Sequence, residues 1–272
     1  QLSLMSRRVL RGRTHGERRS KKRGQSVEFA DYRNYVAGDD LRFIDWNLFA
    51  RLDRLFLRLY VEEEDLSLAV LVDTTRSMEW GRPRKLLYAK RIAAALGYIA
   101  LSHNNSLSVY AMCGGITSQL TNLRGRVPVR DLFRYLQGLT PEPTPGNLAL
   151  SCHHLGVSQS GRAVVVIISD FFDKGDLAGA LTHLGLPRFE TYAVQVLSPQ
   201  ELDPTRGGIV GDLRLRDVED LDTADVSVTS ALMQRYRNNL DAYCRYVRHH
   251  CLRSGAVYTA VDTSVPFENV IL

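Results

Sequence analysis

The chain has 272 residues, 44% of them hydrophobic and 24% charged, with a net charge of +5. No run reaches the roughly 18 apolar residues that span a bilayer, and the N-terminus lacks the apolar centre of a secretory signal, so no transmembrane segment and a cytoplasmic location are expected. Four cysteines without a C-x-x-C pair, Cys113, Cys152, Cys244 and Cys251, argue against a zinc or disulfide framework and are expected as buried thiols.

The charge is uneven. Residues 1–24 carry nine Lys or Arg against Glu17 alone, a local net charge of +8 that leaves −3 on the rest. This basic arm has the electrostatics to touch nucleic acid or an anionic surface. No aromatic residue interleaves with its charges for base stacking, so no specific nucleic acid is expected as a partner.

Residues 25–66 form a second segment in which aromatic and charged residues alternate too closely for a disordered linker. Gly38-Asp39-Asp40 reads as a turn leading into a helix start, after which Ile44, Trp46 and Phe49 are placed to face a core. Leu55, Leu57 and Leu59 alternate with Phe56, Arg58 and Tyr60 as a two-faced strand. The charged residues Glu28, Arg33, Asp39, Asp40, Arg42, Asp45 and Arg51 are expected as ion pairs that pin this segment to the main domain, residues 67–272.

The main domain opens with LAVLVDTTRSMEWG, residues 68–81, five apolar residues running into an acid and alternating hydroxyls. This reads as a buried parallel strand ending in an oxygen-rich loop. Asp73, Thr75 and Ser77 form D-x-T-x-S, a set of hard oxygen donors suited to Mg²⁺ or another divalent cation. The plainer alternative is a helix N-cap whose hydroxyls satisfy free backbone N–H groups.

From there strands and helices alternate. Residues 83–103 carry Leu86, Ala89, Ile92, Ala93, Leu96, Ile99 and Ala100 at helical spacing. A strand follows at 107–112, with helices at 129–139 and 147–155. Residues 162–168 form a second continuous apolar strand, again ending in a hydroxyl and an acid, Ser169-Asp170. Two more strands fall at 191–196 and 256–261. Between them lies an antiparallel hairpin insertion at about 207–229 and a long helix with Leu232, Tyr236, Leu240, Tyr243, Cys244, Val247 and Cys251 on one stripe. Residues 266–272 close the chain as a helical turn. Continuous apolar strands separated by helices predict an α/β fold, a doubly wound and mostly parallel sheet.

The run SVEFADYRNYVAGDDLRFIDWNLFAR, followed by the strand and VDTTRSM, closely resembles the bacterial and archaeal family called domain of unknown function 58, whose members look like von Willebrand factor A domains. The shared signature is Glu28, Phe29, Arg33, Tyr35, Gly38, Asp39, Asp40, Arg42, Asp45, Trp46 and Arg51. The resemblance implies a von Willebrand factor A-like fold carrying this N-terminal extension, and a metal-ion-dependent adhesion site (MIDAS). It implies that Asp73 acts through water, that Thr75 and Ser77 give hydroxyl oxygens, and that Asp170 is the later-strand acid. The second-loop threonine of that fold falls at Gly146, which has no side-chain ligand; Thr144 or Asn147 are the alternatives at that position.

The resemblance further implies a non-catalytic protein-binding module working with a MoxR-type AAA+ ATPase and a client protein. A metal-dependent hydrolase is the alternative in another class. Its signatures are missing: there is no G-x-x-x-x-G-K-[ST], no H-E-x-x-H, and Thr75 stands where a haloacid-dehalogenase-type phosphatase needs a second Asp. His153-His154 and His249-His250 lack the i, i+4 spacing of a helical metal pair and are expected at the surface. Binding of nucleic acid or an anionic surface through the arm is the third reading.

Overall fold

The computed structural model describes residues 27–36, 38–62, 67–159, 161–173, 175–185, 187–207, 211–216 and 223–271. The basic arm, residues 1–24, lies outside them. The described residues fall into two compact units, one within 11–65 and one within 66–272.

In the first unit β1 (Val27–Asn34) pairs antiparallel with β2 (Phe56–Glu62). Between them a 3-10 turn, Leu41–Phe43, leads to the short helix α1 (Trp46–Leu52). Asp45 sets the start of α1: its Oδ1 accepts from the backbone N–H of Asn47 at 3.0 Å and Leu48 at 3.1 Å, satisfying donors that the first turn leaves free. Its Oδ2 takes the Arg58 guanidinium at 2.8 Å and the Tyr32 hydroxyl at 3.0 Å, and these donors hold the Asp45 carboxyl well below the usual carboxylate range. Arg33 pairs with Asp39 at 2.6 Å and Arg42 with Asp40 at 2.6 Å. These ion pairs close within the unit, so they brace the signature segment itself. Gly38 holds a φ of +104°, a left-handed conformation that a side chain would disfavour. Ile44 and Leu57 are buried as expected, but Trp46 is 61% exposed. As the first residue of α1 it packs only edge-on against Phe49.

The second unit is built on a six-stranded sheet in the order β10-β7-β6-β3-β4-β5. The strands are β3 (Ser67–Asp73), β4 (Ser106–Met112), β5 (Ile116–Arg124), β6 (Ala163–Ser169), β7 (Phe189–Leu197) and β10 (Val257–Asp262). All neighbours are parallel except β4 and β5. The edge strand β5 is absent from the sequence reading because its residues, ITSQLTNLR, are mostly polar and half-exposed. The hairpin forms separately from β8 (Gly211–Arg216) and β9 (Thr223–Val228).

Alternation along the strands divides the core into two layers. Leu68, Val70 and Val72 of β3 face a cluster with Ala89, Ile92 and Leu96 of α2 (Lys85–Ser102) and with Leu132 and Leu136 of α3 (Val129–Gly138). Ala69 and Leu71 face the other side, with α4 (Leu148–Ser158), α5 (Leu177–Thr182) and, after the small helix α6 (Pro199–Leu202), Val247 and Cys251 of α7 (Ser230–Arg253). The chain ends on α8 (Glu268–Ile271). This is the expected doubly wound, mostly parallel α/β architecture. All four cysteines are reduced; Cys113, Cys152 and Cys251 are buried and Cys244 is half-buried. Among the described residues no helix is long and apolar enough to cross a membrane.

Strand order fixes where a site can form. From β3 the chain moves to β4 on one side and later to β6 on the other, so the carboxyl ends of β3 and β6 flank a topological switch point, where open α/β sheets leave a crevice. Val72 is level with Ile168, which places Asp73 beside Ser169.

Candidate metal centre

Asp73 ends β3 and is 7% exposed. Its Oδ1 accepts from the backbone N–H of Thr75 at 2.8 Å and from the Thr75 hydroxyl at 2.8 Å. Its Oδ2 accepts from the Ser169 hydroxyl at 2.5 Å. The Thr75 and Ser77 oxygens lie 2.9 Å apart. Since the single proton of Thr75 Oγ1 goes to Asp73, Ser77 is the donor in that pair. The hydroxyl protons are thus drawn back toward Asp73, and lone pairs of Thr75 and Ser77 remain for another acceptor of electrons. The N-cap alternative does not describe the threonine: Thr75 precedes a 3-10 turn, Arg76–Glu79, but its side chain makes no capping hydrogen bond.

Burial, and then the nearby charge of Asp170, push the Asp73 carboxyl up to about 7 against the pull of its three donors. A carboxylate so placed favours a compensating cation.

The loop after β6 is held from several directions. Ser169 Oγ accepts from the Phe171 N–H at 2.8 Å, and Gln195 Nε2 donates to the Asp170 carbonyl at 2.9 Å. The Tyr243 hydroxyl of α7 donates to the Phe171 carbonyl. Phe171 itself has a φ of +60°, an uncommon conformation for a bulky side chain, maintained by these bonds and by its burial.

Asp170 turns one oxygen to the Phe172 N–H at 3.1 Å and the other to the Lys85 ammonium at 2.6 Å. Lys85, the first residue of α2, is fully buried and also pairs with Glu201. Burial disfavours its charge, but Asp170 and Glu201 together outweigh that and hold its pKa above the ordinary lysine value. Lys85 and Glu201 are structural parts of the site that sequence reasoning missed, as it did the bond from Ser169 to Asp73. Lys85 had a signal: it lies on the apolar stripe of α2, four residues before Ala89 and seven before Ile92, and a charge at a core-facing position needs partners.

The second-loop alternatives fare differently. Thr144 lies against Gly114, with its methyl 2.9 Å from where a Gly114 Cβ would stand, and does not line the cavity. Asn147 lines the cavity, but its Oδ1 caps α4 by accepting from the Leu150 N–H at 2.9 Å. Gly146 also lines it, and a Cβ there would stand 3.3 Å from Thr75 Cγ2.

The partly open space among Asp73, Thr75, Ser77, Gly146, Asp170 and Asp173 has a volume of about 20 Å³, room for about one water or one small ion. Ligand oxygens side by side around an octahedral Mg²⁺, at bond lengths of roughly 2.0–2.1 Å, are about 2.9 Å apart. The Thr75 and Ser77 oxygens, 2.9 Å apart by their hydrogen bond, already span such an edge without rearrangement. The donor set is all oxygen and partly charged, so these residues fit a hard divalent cation. Among the described residues there is no cluster of three or more His, Cys, Asp or Glu arranged to hold a metal by those groups alone, so any such site here depends on the two hydroxyls.

Residues 31–245 match the model of the family described as Protein of unknown function DUF58. The chain belongs to this family. Curated relatives of this DUF58 chain include uncharacterized protein Rv1480 of Mycobacterium tuberculosis, 27% identical over 266 residues, covering 96% of this chain and 83% of that one. Similar solved structures include conserved hypothetical protein BatB from Bacteroides thetaiotaomicron, at 13% identity and a TM-score of 0.45, covering 76% of this chain and 95% of that chain. The SpRpn10 VWA domain is similar at 12% identity and a TM-score of 0.37, over 76% of this chain and 93% of that one.

Proposed function

We propose that this DUF58 chain is a protein-binding module of von Willebrand factor A type, using Asp73, Thr75, Ser77 and Asp170 as a metal-ion-dependent adhesion site. The observation that carries this is the convergence of the Thr75 and Ser77 hydroxyls, 2.9 Å apart and backed by Asp73, on a cavity at the sheet's switch point. Mg²⁺ held there supplies an electrophilic centre for a partner's Asp or Glu carboxylate. Thr75 and Ser77 present the oxygens, Asp73 orders both hydroxyls through its hydrogen bond to Thr75, and Lys85 fixes Asp170 at the edge of the cavity.

Binding is favoured over turnover. Two of the acids at the cavity are engaged, Asp170 by Lys85 and Asp73 by Ser169 and Thr75, and the sequence carries no hydrolase signature. The partner class proposed is the one the family resemblance implies: a MoxR-type AAA+ ATPase, with this chain as its adaptor toward a client in protein maturation or remodelling. The test is direct binding to a purified MoxR-type ATPase from the same genome. Binding with Mg²⁺ that is lost in EDTA and lost on Ser77→Ala is expected. Binding indifferent to both would remove the site from the interface, and metal-dependent turnover of phosphate esters or peptides lost on Asp73→Asn would support a hydrolase instead.

A further inference from the structure

Position 146 supplies no side-chain oxygen, Thr144 does not line the cavity, and Asn147 offers there only a neutral amide oxygen already bonded to the Leu150 N–H. The neighbouring space is taken by Asp173, four residues beyond the end of β6. Its Cγ and Oδ2 both lie 3.7 Å from the place where a Gly146 Cβ would be, and it lines the same cavity as Asp73, Thr75 and Ser77. A Cβ at 146 would stand in ordinary van der Waals contact with the Asp173 carboxylate, so the two positions border the same part of the cavity.

Asp173 is also oriented. Its Oδ2 accepts from the Leu148 N–H at 2.7 Å, at the start of α4, and its Oδ1 from the Gly175 N–H at 2.8 Å. Each bond uses part of an ionised carboxylate's acceptor capacity of about four sites, so both oxygens keep a lone pair. Asp170, by contrast, has its Oδ2 committed to the buried Lys85 ammonium. Among the described residues no cation pairs with Asp173.

We propose that Asp173 supplies the metal ligand that Gly146 cannot, so that the cation is held between the Thr75 and Ser77 hydroxyls on one side and the Asp173 carboxylate on the other. This rests on reading the cavity as a divalent-cation site. In place of a neutral threonine hydroxyl the site then has a charged oxygen, which raises its affinity for hard cations before any partner arrives.

The test is Mn²⁺ titration of the full chain followed by electron paramagnetic resonance, with the metal-free melting midpoint measured alongside. Asp173→Asn is expected to weaken Mn²⁺ binding at least tenfold, while Asp173→Ala/Gly146→Thr, which frees the space beside position 146 and puts a hydroxyl back there, is expected to bind Mn²⁺ more tightly than Asp173→Ala. A purely structural role for Asp173 would lower the metal-free midpoint and would not be rescued by Gly146→Thr. Undiminished Mn²⁺ affinity in Asp173→Asn overturns the inference and leaves the metal site standing; absence of Mn²⁺ binding by the unaltered chain overturns both. Should the variants not fold, crystals of the unaltered chain grown with Mn²⁺ decide: an anomalous peak at bonding distance, about 2.1 Å, from an Asp173 oxygen supports the assignment, and a peak out of reach of Asp173 overturns it.

Discussion

Lys85→Met removes the one charge that ties the end of β6 to α6 while nearly preserving volume. The Lys85 side chain is fully buried, Asp170 is 2% exposed and Glu201 13% exposed, so the substitution leaves two carboxylates facing each other across an apolar side chain. Glu201 retains the Ser198 N–H at 2.7 Å and the Ser198 hydroxyl at 3.0 Å and is within reach of water. Asp170 retains only the Phe172 N–H on its other oxygen, and therefore bears most of the cost. Removing one partner of a buried pair costs about 3–5 kcal/mol. Part is returned because a cation in the first turn of α2 opposes the helix dipole, an effect of about 0.3–1 kcal/mol. Urea unfolding in EDTA, followed by circular dichroism, should show the midpoint falling by roughly 1–2 M at an unchanged slope. Lys85→Met/Asp170→Asn should recover a large part of the loss, because no buried charge is then left unpaired. A drop worth less than about 1 kcal/mol, the value of an exposed pair, would refute the buried-cation reasoning.

Other expectations follow from single sites. Burial holds the Asp73 carboxyl near 7 against 3.8 for the free group, so the folded chain keeps a proton that the unfolded chain releases; metal-free stability should fall as pH rises from about 4 to 7, and Asp73→Asn should flatten that slope. Melting midpoints in EDTA across that range check it, and parallel slopes for the two proteins would refute it. Asp45→Ala removes both the α1 cap and the partner of Arg58 and should cost the first unit about 2 kcal/mol, read as at least tenfold faster proteolytic cleavage within residues 27–62; unchanged cleavage would contradict it. Gly97→Ala puts a methyl 2.7 Å from Leu132 Cδ2 and 2.9 Å from Leu107 Cδ2; overpacking of about 1–3 kcal/mol should outweigh the helix-propensity gain of about 1 kcal/mol, so a raised melting midpoint would be the wrong result.

The architecture was legible because its signals are local. Strands β3 and β6 are unbroken apolar runs, α2 shows its stripe, and each strand ends in acid and hydroxyl groups. The polar edge strand β5 was not, since half-exposed Thr, Ser, Gln and Asn carry no burial pattern. In the site, the motif Asp73, Thr75 and Ser77 was legible by spacing. Lys85 and Glu201 were not recognised, and Ser169 was noted only as a strand-end hydroxyl, because pairing across 85 to 116 residues of sequence is set by strand order and not by any neighbouring residue. Asp173 escaped for a similar reason: only the fold shows that a carboxylate from one loop stands beside a glycine in another. Trp46, placed by pattern toward a core, is exposed, because helical spacing shows which residues share a face but not which face is covered.

The central claim is that the hydroxyls of Thr75 and Ser77, ordered by Asp73, hold one divalent cation. The most direct measurement is the number of Mn²⁺ ions bound per chain at neutral pH, by electron paramagnetic resonance, for the unaltered protein, Asp73→Ala and Ser77→Ala. One ion per unaltered chain, lost in Asp73→Ala and weakened in Ser77→Ala, is the expected result. No bound ion, or one bound equally well by all three proteins, would contradict it.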